Sequence, residues 1–338
     1  MKIENKRQWI GELFFLLGTI LYITYYFFYI AYYWYVEKDP TRQMPVQRLF
    51  YIGLICFVVK IILTKYQWKE VIIGAVGAVL MYLCWKSSGG IDYPANYLII
   101  LAMKDVDLKK VMKAVFACGF VGLSYGFTWF FVNAPDKLTT VKDYGRGMIE
   151  VRYKFCTWHA NTIHLMIMVL IVSFLYAYYK KMKWWAFAIM FYFNYEFYQL
   201  SKSRTAFYCG SAAIIAYFIL RYARKIYEFK ISLILLEIGN LVGIFLSIYY
   251  GLYSQLTDPT FMRLDQLITG RLTVARNCFL EAGIPLFGSN IGGKVCGYGI
   301  YTQANDGYVT ELGIVRTLLE YGPIVFGLFC AFMLIAVW

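Results

Sequence analysis

Trp9–Val36 reads WIGELFFLLGTILYITYYFFYIAYYWYV. This run holds one charged residue, Glu12, and it decides the fold class. A helix needs about 20 predominantly apolar residues to cross a bilayer. The core of a signal peptide is only about 7–15 residues and is followed by a small-residue cleavage site. Trp9–Val36 is too long and too aromatic for that, and it lacks the site. Behind the short basic start, Met1-Lys2-Ile3-Glu4-Asn5-Lys6-Arg7, it reads as a first membrane span that begins inside.

Similar runs recur at Leu49–Leu63, Val71–Trp85, Val111–Val132, Ile163–Tyr179, Trp184–Leu200, Ala206–Leu220, Ile231–Tyr250 and Val315–Trp338. The composition agrees: 60% of residues are hydrophobic, 20% are aromatic and only 16% are charged, whereas a soluble domain carries about 25% charged residues. Disorder, a disulfide-stapled secreted domain and a soluble α/β enzyme are excluded. So is an outer-membrane barrel, because the runs do not alternate polar and apolar residues. The net charge of +13 suits cytoplasmic loops that collect Lys and Arg. No basic folded domain exists to carry nucleic acid.

Basic clusters set the orientation. They lie at Lys65 and Lys69, at Lys104, Lys109, Lys110 and Lys113, at Lys180, Lys181 and Lys183, and at Arg221, Arg224, Lys225 and Lys230. If all are cytoplasmic, an even number of crossings must separate the N-terminus from Lys104. Three long runs precede it, so a fourth crossing has to fit near Ser88–Met103. At about 1.5 Å per residue this is ~24 Å, short of the ~30 Å apolar core. Either a short or re-entrant helix, entered through Gly89-Gly90-Ile91-Asp92, or a tilted and locally thinned span satisfies the count. The expected fold is all-α: a single polytopic membrane domain over 1–338 with about ten transmembrane helices. The C-terminus stops inside an apolar run, which suggests truncation or a last helix only just complete. The outer side receives Tyr35–Gln47, a loop of Asn133–Thr157, a turn at Ser201–Arg204 and a large loop of 251–311. The last is big enough for short interfacial helices such as Thr269–Glu281.

Several chemistries are excluded. The eight cysteines form no Cys-x-x-Cys, although Cys278 and Cys296 could pair outside. His159 and His164 are five apart with no Glu between them, so a zinc site is not expected. No metal or cofactor is expected at the site. Gly-x-Ser-x-Gly and Walker-type loops are absent.

What stands out is a set of arginines on the side where positive charge is sparse. Arg146 and Arg152 lie in the Asn133–Thr157 loop, Arg204 in the turn Leu200-Ser201-Lys202-Ser203-Arg204-Thr205, and Arg263, Arg271 and Arg276 in the large loop. Any one of them could be a rim residue paired to a carboxylate or a lipid phosphate. Several beside span ends on one face suit a lipid-linked diphosphate, because arginine stays charged and forms bidentate pairs with phosphate oxygens.

At these residues the chain resembles a known family. Glu150-Val151-Arg152 through His159-Ala160-Asn161-Thr162 looks like the Arg…His-x-Asn stretch that leads into a span in the O-antigen polymerase and ligase family. Ser203-Arg204-Thr205 is similar to its Ser-Arg turn. Thr269-Gly270-Arg271 followed by Pro285-Leu286-Phe287-Gly288 looks like its Gly-Arg…Pro-Leu-Phe-Gly pattern. Asn305-Asp306-Gly307-Tyr308 followed by Leu319-Glu320-Tyr321-Gly322 resembles the end of its large outer loop. The likeness covers about half the chain. Where many members, ligases above all, carry a His in the large-loop motif, this chain has Gln303, Asn305 and Asp306.

The resemblance implies a Wzy-like surface polysaccharide polymerase. Such an enzyme transfers undecaprenyl-diphosphate-linked oligosaccharide onto a growing glycan acceptor at the outer face of the bacterial cytoplasmic membrane, without metal and with inversion. Membrane lipid, and a chain-length regulator as a candidate, complete its partners. On this reading Arg152, Arg204 and Arg271 clamp the diphosphate, with Arg146 and Arg276 as second choices. His159 or Asp306 takes the hydroxyl proton, and Asn161, Asn305 and Ser203 bind substrate. Asp306 could equally belong to an Asn-Asp-Gly turn, and His159 could simply be bonded at the start of its helix. Rival readings are ligase-type transfer to another acceptor, a lipid-linked oligosaccharide flippase, a non-enzymatic scaffold, and an acyltransferase built on His164. Within spans, Glu196 could reach Lys202 or Arg204, Glu237 is a further functional candidate, and Lys60 and Glu12 are expected to snorkel.

Overall fold

The computed structural model describes residues 3–31, 40–89, 91–135, 138–143, 149–157, 159–223, 225, 230–255, 257–268, 270–291 and 312–335. Among them the helices are α1 (Ile3–Ala31), α2 (Pro40–Leu63), α3 (Trp68–Ser88), α4 (Asp92–Ala102), α5 (Leu108–Asn133), α6 (Ala160–Tyr178), α7 (Trp184–Ser201), α8 (Arg204–Tyr222), α9 (Lys230–Ile248), α10 (Pro259–Leu267), α11 (Arg271–Ala282) and α12 (Gly313–Ile335). Eight are long and apolar enough to cross a membrane: α1, α2, α3, α5, α6, α8, α9 and α12. The protein is therefore an all-α polytopic membrane protein in its architecture.

The remaining two apolar runs are helical but of another kind. Helix α4 has 11 residues, or about 16 Å at 1.5 Å per residue, too short for a tilted crossing on its own. Helix α7 has 18 residues, and Asn194, Glu196 and Gln199 lower its hydropathy. The expected outer loop after α5 carries a two-stranded sheet, β1 (Thr139–Asp143) and β2 (Ile149–Tyr153). Their short connection makes the pair antiparallel. The large loop carries α10 and α11, close to the helix expected at Thr269–Glu281.

The chain divides into two compact units, Met1–Tyr66 with Leu98–Lys142 and Ile149–Ile226, and Gln67–Tyr97 with Asp143–Met148 and Tyr227–Trp338. In the first, α6 is the central helix: Ile163, Met166, Ile167, Leu170, Ile171 and Leu175 are buried in one core with Phe27, Leu123, Phe130, Phe187 and Ile214. These α6 positions recur at three and four residues, and they face α5, α7 and α8. Small residues let the helices close up, as they do where lipid offers no hydrophobic drive between helices. A Cβ on Gly119 would stand 2.6 Å from Leu170 Cδ2 and 2.7 Å from Phe27 Cζ.

Lys60 does not snorkel. Its side chain is 2% exposed, lies against Gly11, and its Nζ donates to Thr64 Oγ1 at 2.9 Å. The missing side chain at Gly11 makes the room. Glu12 instead pairs with Lys110 at 2.9 Å.

In the second unit the core is Leu252, Ala275, Cys278, Ile291, Val315, Leu318 and Leu319, joining α11, α12 and the π-helical turn Tyr249–Tyr253. Helix α12 is broken at Gly322, whose φ is 81°, just before Pro323. Pro285–Ser289 packs onto that break: Ser289 N–H donates to Leu319 O at 2.9 Å, and Ser87 Oγ donates to Gly288 O. The two stretches singled out in sequence, Pro285-Leu286-Phe287-Gly288 and Leu319-Glu320-Tyr321-Gly322, thus touch backbone to backbone.

Candidate functional site

In the first unit the site is organised around the turn between α7 and α8. Helix α7 ends at Ser201, Lys202 adopts the left-handed conformation with φ 53°, and Arg204 is the first residue of α8. Lys202 Nζ donates to Gln199 Oε1 at 2.9 Å. Ser203 is buried, and its N–H donates to Ser201 Oγ at 3.2 Å. Arg204 is exposed and has no hydrogen-bond or ion-pair partner among the described residues.

Beneath the turn lies a polar network that no motif announced. His164 is fully buried, with Nδ1 3.0 Å from Ser201 Oγ and Nε2 3.0 Å from Asn194 Oδ1. Asn194 Nδ2 donates to Phe207 O and to Ser211 Oγ, each at 3.0 Å. A backbone carbonyl only accepts, so the amide orientation is fixed. Asn194 Oδ1 therefore faces His164 Nε2, which carries the proton. Nδ1 then accepts the Ser201 hydroxyl, and Ser201 Oγ accepts the Ser203 N–H. Every member is satisfied, as a buried network must be. Gly210 makes room, since a Cβ there would meet Asn194 Oδ1 at 2.9 Å. Ser201→Ala removes the link between this network and the turn. It is expected to speed amide exchange at Ser203 by about tenfold, as loss of one net hydrogen bond implies, measured by hydrogen–deuterium exchange of the full-length protein.

Lys202 Nζ donates to Gln199 Oε1, and no hydrogen bond or ion pair joins Glu196 to Lys202 or Arg204 among the described residues.

Arg152 lies on β2 and is 3% exposed. Its Nε and Nη2 donate to Glu150 Oε2 at 2.9 and 2.6 Å. Residues two apart share a face of a strand, so the pairing is local. Of the two sequence readings for Arg152, the carboxylate-paired one describes these contacts.

His159 is the N-cap of α6, with Nδ1 accepting the Asn161 N–H at 3.1 Å. In a neutral ring so bonded, the proton sits on Nε2. Nδ1 must release the Asn161 amide before it can act as a base. Cys156, in the turn between β2 and α6, is 1% exposed, and burial pushes its thiol up to about 12, so it stays protonated at neutral pH.

In the second unit Arg271 is the first residue of α11. Gly270, with φ 79°, caps that helix in the left-handed conformation that glycine adopts without strain. The Asp265 carboxylate accepts from Leu272 N at 2.8 Å, Thr273 N at 3.1 Å and Thr273 Oγ1. Arg276 follows on the same helix, and its Nε and Nη1 are buried without a hydrogen-bond partner among the described residues. Arg146, Asn305, Asp306 and Cys296 lie outside the described residues. No group of three or more His, Cys, Asp or Glu among the described residues could hold a metal ion.

Sequence reasoning missed Asn194, His164 and Ser201 as one network, and it missed Arg316, which is tied to Glu320. For Arg316 a signal existed: an Arg-x-x-x-Glu pair at the start of an apolar run.

No protein-family model, curated protein or solved structure matches the chain.

Proposed function

We propose that the chain is a membrane glycosyltransferase of the polysaccharide polymerase type. It extends a glycan from an undecaprenyl-diphosphate-linked donor at the outer face of a bacterial cytoplasmic membrane, with about ten helical segments in or across the bilayer, a cytoplasmic N-terminus and α4 as a re-entrant element. The observation that carries this reading is shared by two motif arginines. Arg204 and Arg271 each occupy the first position of a helix, directly after a turn the sequence enforces through Ser201 and Gly270 respectively. At α8 no side chain caps the first N–H groups, which lack intrahelical acceptors and carry partial positive charge, whereas at α11 the Asp265 carboxylate already accepts from Leu272 N and Thr273 N, so Arg271 would act through its guanidinium alone. A guanidinium there adds a full charge with a planar fork that matches phosphate oxygens.

The chemistry needs little else. An acceptor hydroxyl attacks the anomeric carbon of the donor sugar from the side opposite the diphosphate. The new C–O bond forms as the bond to the diphosphate breaks, and configuration inverts. The hydroxyl proton passes to a base or to water, and the bonding pair leaves on the diphosphate. Proximity and fixed positive charge at the departing group lower this barrier. With Nδ1 of His159 committed to Asn161 N–H, Asp306 is the better base.

The test is direct. The full-length protein in lipid nanodiscs, given a synthetic undecaprenyl-diphosphate-linked oligosaccharide, should produce a ladder of longer glycans, with or without chelator. A donor that stays unextended would overturn the proposal. In cells lacking the protein, single lipid-linked repeat units should accumulate on the outer face. Accumulation on the cytoplasmic face would favour a flippase.

A further inference from the structure

We infer that His164 is a positioning residue for Arg204, acting through Ser201 on the turn between α7 and α8. The inference deepens the reading above and rests on it for the activity assayed.

Ser88, Ser173 and Ser247 each donate to the carbonyl four residues back, at 2.7–2.8 Å, as serine hydroxyls do inside helices. Ser201, the last residue of α7, does not. Its Oγ lies 3.0 Å from His164 Nδ1 and accepts the Ser203 N–H at 3.2 Å. The reason lies further down the network. Asn194 uses its amide protons on Phe207 O and Ser211 Oγ, so its Oδ1 accepts from His164 Nε2. Nδ1 is then an acceptor on a fully buried ring, where an unmet polar atom is costly. It takes the Ser201 proton. With that proton held, an Oγ lone pair is left for the Ser203 N–H.

The network supplies direction more than adhesion. Apolar residues of matching shape would join α6, α7 and α8 about as well, because replacing both partners of a buried hydrogen bond is nearly neutral. They would not aim a lone pair at the turn. The turn has need of one: Lys202 has φ 53°, uncommon for a residue with a Cβ, and Ser203, the N-cap of α8, makes no side-chain cap bond. The bond from Ser203 N–H to Ser201 Oγ ties that N-cap back to α7 one residue before Arg204. Arg204 has no hydrogen-bond or ion-pair partner among the described residues, so its placement rests on its backbone, and His164 sets that backbone.

Two amide substitutions separate positioning from packing. An Asn side chain carries its polar atoms where the Nδ1 edge of a histidine lies, and a Gln side chain reaches to Nε2. His164→Asn therefore keeps an acceptor for Ser201 and gives up Asn194, whereas His164→Gln keeps a donor for Asn194 and gives up Ser201. The full-length variants in lipid nanodiscs are compared by hydrogen–deuterium exchange at Ser203 and by lengthening of a synthetic undecaprenyl-diphosphate-linked oligosaccharide. His164→Gln is expected to exchange Ser203 several-fold faster and to lengthen glycan about tenfold more slowly, as a misplaced group does. His164→Asn should stay near wild type in both. With Arg204→Ala already present, His164→Gln should cost no further activity, because a residue that acts through Arg204 has lost its target. A merely structural defect would lower lengthening in either background. Ser201→Ala, which removes a single oxygen and leaves the core histidine in place, should repeat this non-additivity. The inference is overturned if His164→Gln protects Ser203 as the wild type does, if the two amides behave alike, or if the loss from His164→Gln or Ser201→Ala multiplies that from Arg204→Ala. Exchange is read without glycan. A wild-type protein that never lengthens glycan would sink the polymerase reading, while a contrast between the two amides at Ser203 would still show His164 setting the turn.

Discussion

Arg204→Ala is expected to lower glycan lengthening by about 10²–10³-fold, the range for removing one preorganised donor from a transition-state charge, while the protein remains inserted and folded. The side chain is exposed and has no partner among the described residues, so its removal orphans nothing. Arg204→Lys should recover only part of the loss, because an ammonium keeps the charge without the fork. Arg271→Ala is expected to reduce lengthening to a similar degree. Arg152→Ala should behave differently. Its guanidinium is bound to Glu150 through two bonds and is almost fully buried. Breaking such a pair costs about 3 kcal/mol, so thermal stability should fall along with activity. The measurements are polymer length in cells, product ladders from purified protein and thermal midpoints of the same samples. Near-normal polymer length in Arg204→Ala would overturn the proposal that this arginine clamps a diphosphate.

The helices were legible because membrane spans are written in local sequence: an apolar run of sufficient length has no alternative in lipid. Each apolar run named from sequence contains a helix in the structure. What was not legible depends on partners far along the chain. Trp184–Leu200 read as an ordinary span, yet Asn194 within it serves His164, 30 residues earlier, and Ser211, 17 residues later. The sequence offers His159 as a base or as a residue bonded at the start of its helix, and the structure shows the second arrangement. His164, by contrast, takes its place as a network centre from Asn194 and Ser201, 30 and 37 residues further along the chain. Snorkelling of Lys60 follows from a rule that concerns one helix, whereas Gly11 on a neighbouring helix opens the space that buries it. The Arg204 turn is legible as tight, because its hydroxyls and its flanking runs are all local. Arg316 escaped notice because positive charge next to a span end looks like any rim residue until a buried carboxylate is seen beneath it.

The second large effect falls on the glycines of the two motifs that meet in the second unit. Gly288→Ala and Gly322→Ala are each expected to destabilise the protein by on the order of 3 kcal/mol, combining left-handed strain with overpacking. Both residues have positive φ, 76° and 81°. A Cβ on Gly288 would sit 2.7 Å from Tyr321 N and closer still to Glu320 O; one on Gly322 would sit 2.7 Å from Gly288 N and closer still to Leu286 O. The obstacles are backbone atoms on both sides, which no rotamer change can clear. Each substitution must push Pro285–Ser289 away from the break in α12, which breaks the bond from Ser289 N–H to Leu319 O. Glu320 lies inside this contact, so the carboxylate that grips Arg316 should shift too. Gly283→Ala is the matched control: its φ is also positive, 64°, but a Cβ there meets nothing within 4 Å. It carries the conformational strain alone, about 1 kcal/mol. Thermal unfolding of the three variants in one detergent separates the two costs. If Gly288→Ala melted no lower than Gly283→Ala, the two motifs would not be packed backbone to backbone, and their pairing would need another explanation.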